Sequence, residues 1–127
     1  MSRLVLLDTS IFIDYFRKSK KENTILFKLA INDYVLFTSS IVYYEFFCGV
    51  DYSEIFEGID VLPFTKSDAL VASRIYKDLK KLNKIIGEKD ILIAATAINN
   101  SMSLATLNFK DFERIKGLEI ITKDLDG

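Results

Sequence analysis

The sequence predicts an α/β fold: one domain over residues 1–127, with a mainly parallel sheet of about five strands flanked by helices. Three observations lead there. Short apolar or β-branched runs alternate with segments whose apolar residues recur at helical spacing. The first run, Leu4–Leu7, is apolar at every position, as expected of a central parallel strand covered on both faces. The 127 residues hold no repeat, linker or low-complexity stretch, with one proline and five scattered glycines, so the elements read as a single unit of ordinary domain size.

Taken in order, Leu4–Leu7 is a strand, broken by Asp8-Thr9-Ser10. Ile11–Lys18 follows as a helix, with Thr9 or Ser10 as its cap. Glu22–Asn32 places Ile25, Leu26, Leu29 and Ala30 at helical spacing, and Tyr34–Thr38 is β-branched and aromatic, a strand. Ser39-Ser40 opens a helix ending near Gly49, and Ser53–Phe56 reads as one further helical turn. Asp60–Phe64 is a strand. Ser67-Asp68 starts the clearest helix, with Val71, Ile75, Leu79 and Leu82 on one face. Gly87-Glu88-Lys89 reads as a loop and Asp90 as the start of a helix through about Asn100. Leu104–Leu107 is a strand, Lys110–Ile115 a short helix stopped by Gly117, and Leu118–Thr122 the last strand.

Composition narrows the chemistry. Half the residues are hydrophobic and 28% are charged, which excludes a disordered chain. Seventeen basic against eighteen acidic residues give a net charge of −1, which excludes a strongly basic nucleic-acid coat. There is no histidine, so no His-based triad or His zinc ligand is available. The single Cys48 has no disulfide partner and fits a reducing cytoplasm. No apolar run approaches the roughly 18 residues of a membrane span. Carboxylates, hydroxyls and amides remain.

In parallel sheets ligands sit beyond the carboxyl ends of the strands, which directs attention to Asp8, Ser39 and Asn108. Asp8 ends the first strand, where a turn or cap would also use an aspartate. Glu45 lies in Ile41–Cys48, a helix apolar nearly all round and therefore expected to be buried. A carboxylate there needs a partner, a hydrogen bond or a metal; its ordinary uses would be a narrow solvated stripe or a pairing with a lysine. Asp90 opens a helix, and Asp111 follows the strand Leu104–Leu107. Each has an ordinary structural use as a cap or first-turn acid. As a set without histidine or a thiol pair, they suit hard cations such as Mg²⁺ or Mn²⁺.

Four segments in order carry a family resemblance: Val5-Leu6-Leu7-Asp8-Thr9-Ser10; Ser39-Ser40-Ile41-Val42-Tyr43-Tyr44-Glu45-Phe46-Phe47-Cys48-Gly49; Asp90-Ile91-Leu92-Ile93-Ala94-Ala95-Thr96-Ala97; and Ala105-Thr106-Leu107-Asn108-Phe109-Lys110-Asp111-Phe112. Over almost its whole length the chain resembles a PIN domain, specifically the small VapC-type ribonuclease toxins of prokaryotic toxin–antitoxin pairs. The resemblance implies a PIN-like single domain and a metal-dependent endoribonuclease. Asp8, Glu45 and Asp90 would bind one or two Mg²⁺ or Mn²⁺ ions. Some relatives carry an aspartate where this chain has Asn108; the fourth acidic role is therefore carried onto Asp111, with Asn108 as a polar neighbour. Thr9, Ser10 and Thr106 match small hydroxyl positions around the family's site, where capping is their ordinary use. The resemblance also implies an RNA substrate, products with 5′-phosphate and 3′-hydroxyl ends, a small cognate antitoxin and a homodimer.

Arg17, Lys18, Lys20 and Lys21 form a basic cluster after the first helix and are candidate RNA contacts. Lys77, Lys80, Lys81 and Lys84 share another helical face, which also suits plain solvation. Two other readings stay open: a housekeeping PIN nuclease in RNA processing, and a non-catalytic PIN module binding RNA or protein. A receiver domain would want paired acids after the first strand, where Thr9 follows Asp8. A haloacid-dehalogenase-type phosphatase would want a second aspartate at Ser10.

Overall fold

A computed structural model describes residues 3–84 and 86–121. The strands β1 (Leu4–Leu7), β2 (Val35–Ser39), β3 (Asp60–Leu62), β4 (Ser103–Ala105) and β5 (Ile120–Ile121) form one sheet in the order β3-β2-β1-β4-β5. All four pairings are parallel, with Leu6 opposite Phe37 on one side and Leu104 on the other. Central position explains the unbroken apolar run of β1: Val5, Leu6 and Leu7 are fully buried. From β1 the chain builds outward through β2 and β3, then crosses to β4 and β5 on the opposite side. That reversal leaves a crevice beyond the carboxyl ends of β1 and β4, the place where open α/β sheets bind ligands.

The helices are α1 (Thr9–Arg17), α2 (Ile25–Ile31), α3 (Ser40–Gly49), α4 (Lys66–Lys81), α5 (Glu88–Asn99) and α6 (Phe109–Phe112). Phe12 of α1, Phe46 of α3 and Phe56 of the 3₁₀ turn Ser53–Phe56 stack together, with centroids 4.6 Å apart for Phe12–Phe56 and 5.3 Å for Phe46–Phe56. This cluster presses α3 against α1 and so fixes where Glu45 points. Burying each such ring contributes roughly 1.5–3 kcal/mol. Among the described residues no helix is long and apolar enough to cross a membrane.

Several local expectations are corrected, and each has a physical cause. Thr24 caps α2 by accepting from the Phe27 N–H, so the stretch expected as one helix from Glu22 splits into a 3₁₀ turn, Lys21–Asn23, and α2. Asp8 takes the N-cap place of α1, where Thr9 or Ser10 was expected. Pro63 lacks an N–H, and β3 ends at Leu62 rather than Phe64. Thr65 and Asp68 form a reciprocal capping box, so α4 starts at Lys66. Its buried stripe is Asp68, Ala72, Ile75 and Leu79; Leu82 lies past the helix end and is exposed.

Gly87 is the N-cap of α5, so Glu88 and Lys89 are helical and Asp90 sits inside the first turn. The strand expected over Leu104–Leu107 is Ser103–Ala105, and the short helix Lys110–Ile115 is Phe109–Phe112. Gly117 adopts the left-handed region at φ 82° before β5, as a chain-stopping glycine should. The last expected strand position, Thr122, lies outside the described residues. Finally, α3 is not buried all round: Val42 and Phe46 are inside, but Tyr43 and Tyr44 face outward.

Candidate active site

The switch-point crevice is a cleft of about 600 Å³ lined by Asp8, Thr9, Ser10, Glu45, Asp90 and Asn108, with Asp14, Arg17 and Lys18 further along α1. A larger, mostly apolar groove of about 710 Å³ lies between α4 and α5, on residues such as Tyr76, Leu79 and Ile91. The acids gather in the first.

Asp8 is 3% exposed. Its backbone holds the N-cap place of α1, yet its side chain makes no capping bond. Instead Oδ2 accepts from Ser10 Oγ at 3.0 Å and from Thr106 Oγ1 at 2.7 Å. The direction of both bonds is forced. An ionised carboxylate oxygen can only accept, so both hydroxyls donate to Asp8, while Ser10 Oγ accepts the Leu107 N–H and Thr106 Oγ1 the Asn108 N–H, each at 3.0 Å. Burial pushes the Asp8 pKa above its ordinary 3.8; the hydroxyl bonds and the Thr9 backbone pull it back, and the Glu45 charge adds to the rise.

Glu45 projects from α3 with its side chain 25% exposed, beside a wet cleft rather than in the core. Its Oε1 accepts from Thr9 Oγ1 at 2.8 Å, and Lys89 Nζ stands 3.9 Å from Oε2. Asp90 is half-buried. Its pKa is pushed up to about 6, first by burial and then by the charges of Asp8, Asp111 and Glu45. Three carboxylates from separate parts of the chain thus act on the titration of a fourth.

The structure brings Asp8, Glu45, Asp90 and Asn108 to one cleft, and the small hydroxyls to the acids. Thr9, Ser10 and Thr106 bond carboxylates instead of capping helices. Asp111 is exposed in the first turn of α6, outside the cleft lining but near enough to act on Asp90. Of the basic cluster, Arg17 and Lys18 line the cleft, and Lys18 also pairs with Asp14 at 3.0 Å. Lys20 is exposed. Lys21 turns back onto the carbonyls of Tyr15 and Phe16, the latter at 3.2 Å, and so satisfies the end of α1. Sequence reading passed over Lys89 and Asp14. The signals were present: Lys89 adjoins Asp90, and Asp14 stands one helical turn before Lys18.

The donor set is hard oxygen throughout, which fits Mg²⁺ or Mn²⁺. Among the described residues no three acidic side chains already stand as a closed ligand cage. Mg²⁺ needs none, since it keeps several waters and is held by one or two carboxylates. Burial raises the Asp8 and Asp90 pKa values most, and the like charges of the neighbouring carboxylates add a part that a cation would offset.

Residues 5–118 match the family model described as PIN domain, and the chain belongs to that family. It is 35% identical to Ribonuclease VapC1 of Methanocaldococcus jannaschii, over 94% of this chain and 88% of that protein. It is 52% identical to Ribonuclease VapC1 of Rickettsia felis, a match spanning about half of either chain, 49% of this one and 46% of that. Among solved structures it is similar to the DNA-bound VapBC of Salmonella typhimurium, with a TM-score of 0.83, 25% identity, and coverage of 96% of this chain and 98% of that one.

Proposed function

We propose that the chain is an endoribonuclease toxin of the VapC kind, dependent on Mg²⁺ or Mn²⁺. One observation carries the reading: Asp8, Glu45 and Asp90, far apart in sequence, share one cleft at the carboxyl edge of the sheet. The likeness to ribonucleases named VapC supports the activity, and the likeness to a VapBC complex supports a small antitoxin as partner. VapBC is named as a family of toxin–antitoxin systems in the structure of VapBC-5 from Mycobacterium tuberculosis. A second copy of the chain as dimer partner and a cytoplasmic site of action complete the proposal.

Asp8, Glu45 and Asp90 are the residues that would hold the ion, with Asn108 and Asp111 at its margin. A bound divalent cation supplies the positive charge that stabilises negative charge building on the attacked phosphate. The chain's own residues do the rest. Ser10 and Thr106 favour the carboxylate form of Asp8 against its burial and fix its orientation. Thr9 fixes the position of one oxygen of Glu45 through its hydrogen bond. Arg17 and Lys18 extend the cleft with positive charge suited to the adjoining RNA backbone.

The test is cleavage of a mixed structured RNA pool by purified protein, with Mg²⁺ or Mn²⁺, with EDTA, and with folded Asp8→Asn and Asp90→Asn variants. Metal-dependent cutting lost in both variants is expected. Absence of cutting by the antitoxin-free wild type would favour the binding-module reading. Cutting that survives EDTA and both substitutions would place the chemistry elsewhere.

A further inference from the structure

Lys89 occupies an awkward position. It lies in the first turn of α5, where the helix dipole favours the flanking Glu88 and Asp90 and disfavours a cation. Its ammonium rests between two weak contacts, Glu45 Oε2 at 3.9 Å and the ring face of Tyr44 at 5.4 Å from the centroid. The Lys18–Asp14 pair at 3.0 Å shows what a committed ion pair looks like in this molecule. The Lys89 side chain is 53% exposed and free to swing on its four-carbon stem.

The contact with Glu45 has a consequence for the acids. Thr9 Oγ1 already donates to Oε1, so Oε2 is the Glu45 oxygen turned toward a positive charge. A divalent cation and Lys89 therefore contend for the same oxygen. The carboxylates Asp8, Glu45 and Asp90 also repel a polyanion while no divalent cation offsets them. Tyr44, 59% exposed, holds the displaced ammonium close by through its ring face.

Resting on the metal-dependent nuclease reading above, we propose that Lys89 is an exchanging phosphate contact. It sits on Glu45 in the metal-free protein, is displaced when a divalent cation takes Glu45 Oε2, and then binds a non-bridging oxygen of the RNA backbone beside the acids. Metal and RNA binding are thereby coupled through one lysine.

The experiment compares wild type with Lys89→Met and Lys89→Arg. Mn²⁺ binding alone is read by electron paramagnetic resonance of the free ion, and binding of a fluorescent single-stranded RNA pool is read by anisotropy against salt, in Ca²⁺. Lys89→Met should bind Mn²⁺ about 3–10-fold more tightly, because one competing unit charge is gone. The same variant should bind RNA about 3–10-fold more weakly, with the salt slope reduced by about 1. Lys89→Arg should keep the RNA affinity and salt slope. If wild type binds Mn²⁺ but Lys89→Met leaves either Mn²⁺ affinity or the RNA salt slope unchanged, the exchange is refuted while the nuclease reading stands. If wild type binds no Mn²⁺ at all, the metal-dependent reading fails and the exchange fails with it.

Discussion

Two buried aspartates in this molecule are handled in opposite ways. Asp68 is 1% exposed and Asp8 is 3% exposed. Asp68 is satisfied on both oxygens by N–H donors: the Thr65 backbone at 2.9 Å to Oδ2 and Asn99 Nδ2 at 2.7 Å to Oδ1. It closes a capping box and ties α4 to α5. Asp8 takes two hydroxyls on one oxygen and faces like charges from Glu45 and Asp90. One carboxylate completes a structure. The other is held in place by two hydroxyls while neighbouring carboxylates repel it, the arrangement on which the proposed cation site rests.

The largest expected effect separates the two. Asp8→Asn should lower kcat/KM for RNA cleavage by on the order of 10³-fold. Its melting temperature should hold or rise, because burial makes the Asp8 charge costly to folding. Asp68→Ala should leave cleavage per folded molecule unchanged and cost about 1–3 kcal/mol of stability, by stranding the Thr65 and Asn99 donors. Cleavage assays normalised to folded fraction, beside urea melts, check both. A stable Asp68→Ala or an active Asp8→Asn would break the comparison.

A smaller effect sharpens it. Thr106→Val removes the shorter of the two hydroxyl bonds to Asp8 and should lower activity by about 10–100-fold, as loss of a ligand-orienting partner does. Because that bond favours the charged form, the acidic limb of the pH–rate profile should also move to higher pH. A profile that stays in place would mean Thr106 acts only by packing.

The smallest effect is in stability. The Asp90 pKa is raised from 3.8 to about 6, so between those values the folded state binds more protons than the unfolded one. The contribution of Asp90 to stability therefore falls as pH rises from 4 to 6 and remains unfavourable above. Asp90→Asn should gain about 1–2 kcal/mol relative to metal-free wild type at pH 7, discounted for the half-exposed position, and nothing near pH 3.5. Urea titrations at the two pH values check the difference. Saturating Mn²⁺ should erase it by stabilising wild type alone.

Much of this was legible in the chain. The apolar run of β1 and the helix start at Ser39-Ser40 follow from local patterns, because strand burial and helix starts have short-range signatures, and Asp8 stands where the first strand ends. The expectation for α3 failed for a definable reason. Hydropathy reports how apolar a helix is, not how far neighbours cover it, and the described residues leave Tyr43 40% and Tyr44 59% exposed. The start of α5 was misplaced because Gly87 offers no side-chain cap to recognise, whereas Asp90 resembles one.

By itself, then, the sequence determined the α/β class, the central strand and the hard-oxygen character of the chemistry, since composition and period need no partner to be read. Tertiary structure decided which oxygen faces what. Thr106 meets Asp8 only because β4 lies beside β1 across the switch point. Glu45 meets Thr9 only because Phe12, Phe46 and Phe56 clamp α3 to α1. Lys89 became visible only when α5 carried it to Glu45, 44 positions away in the chain. Such contacts join residues through packing and sheet order, whereas the patterns of sequence record only what lies within a few turns.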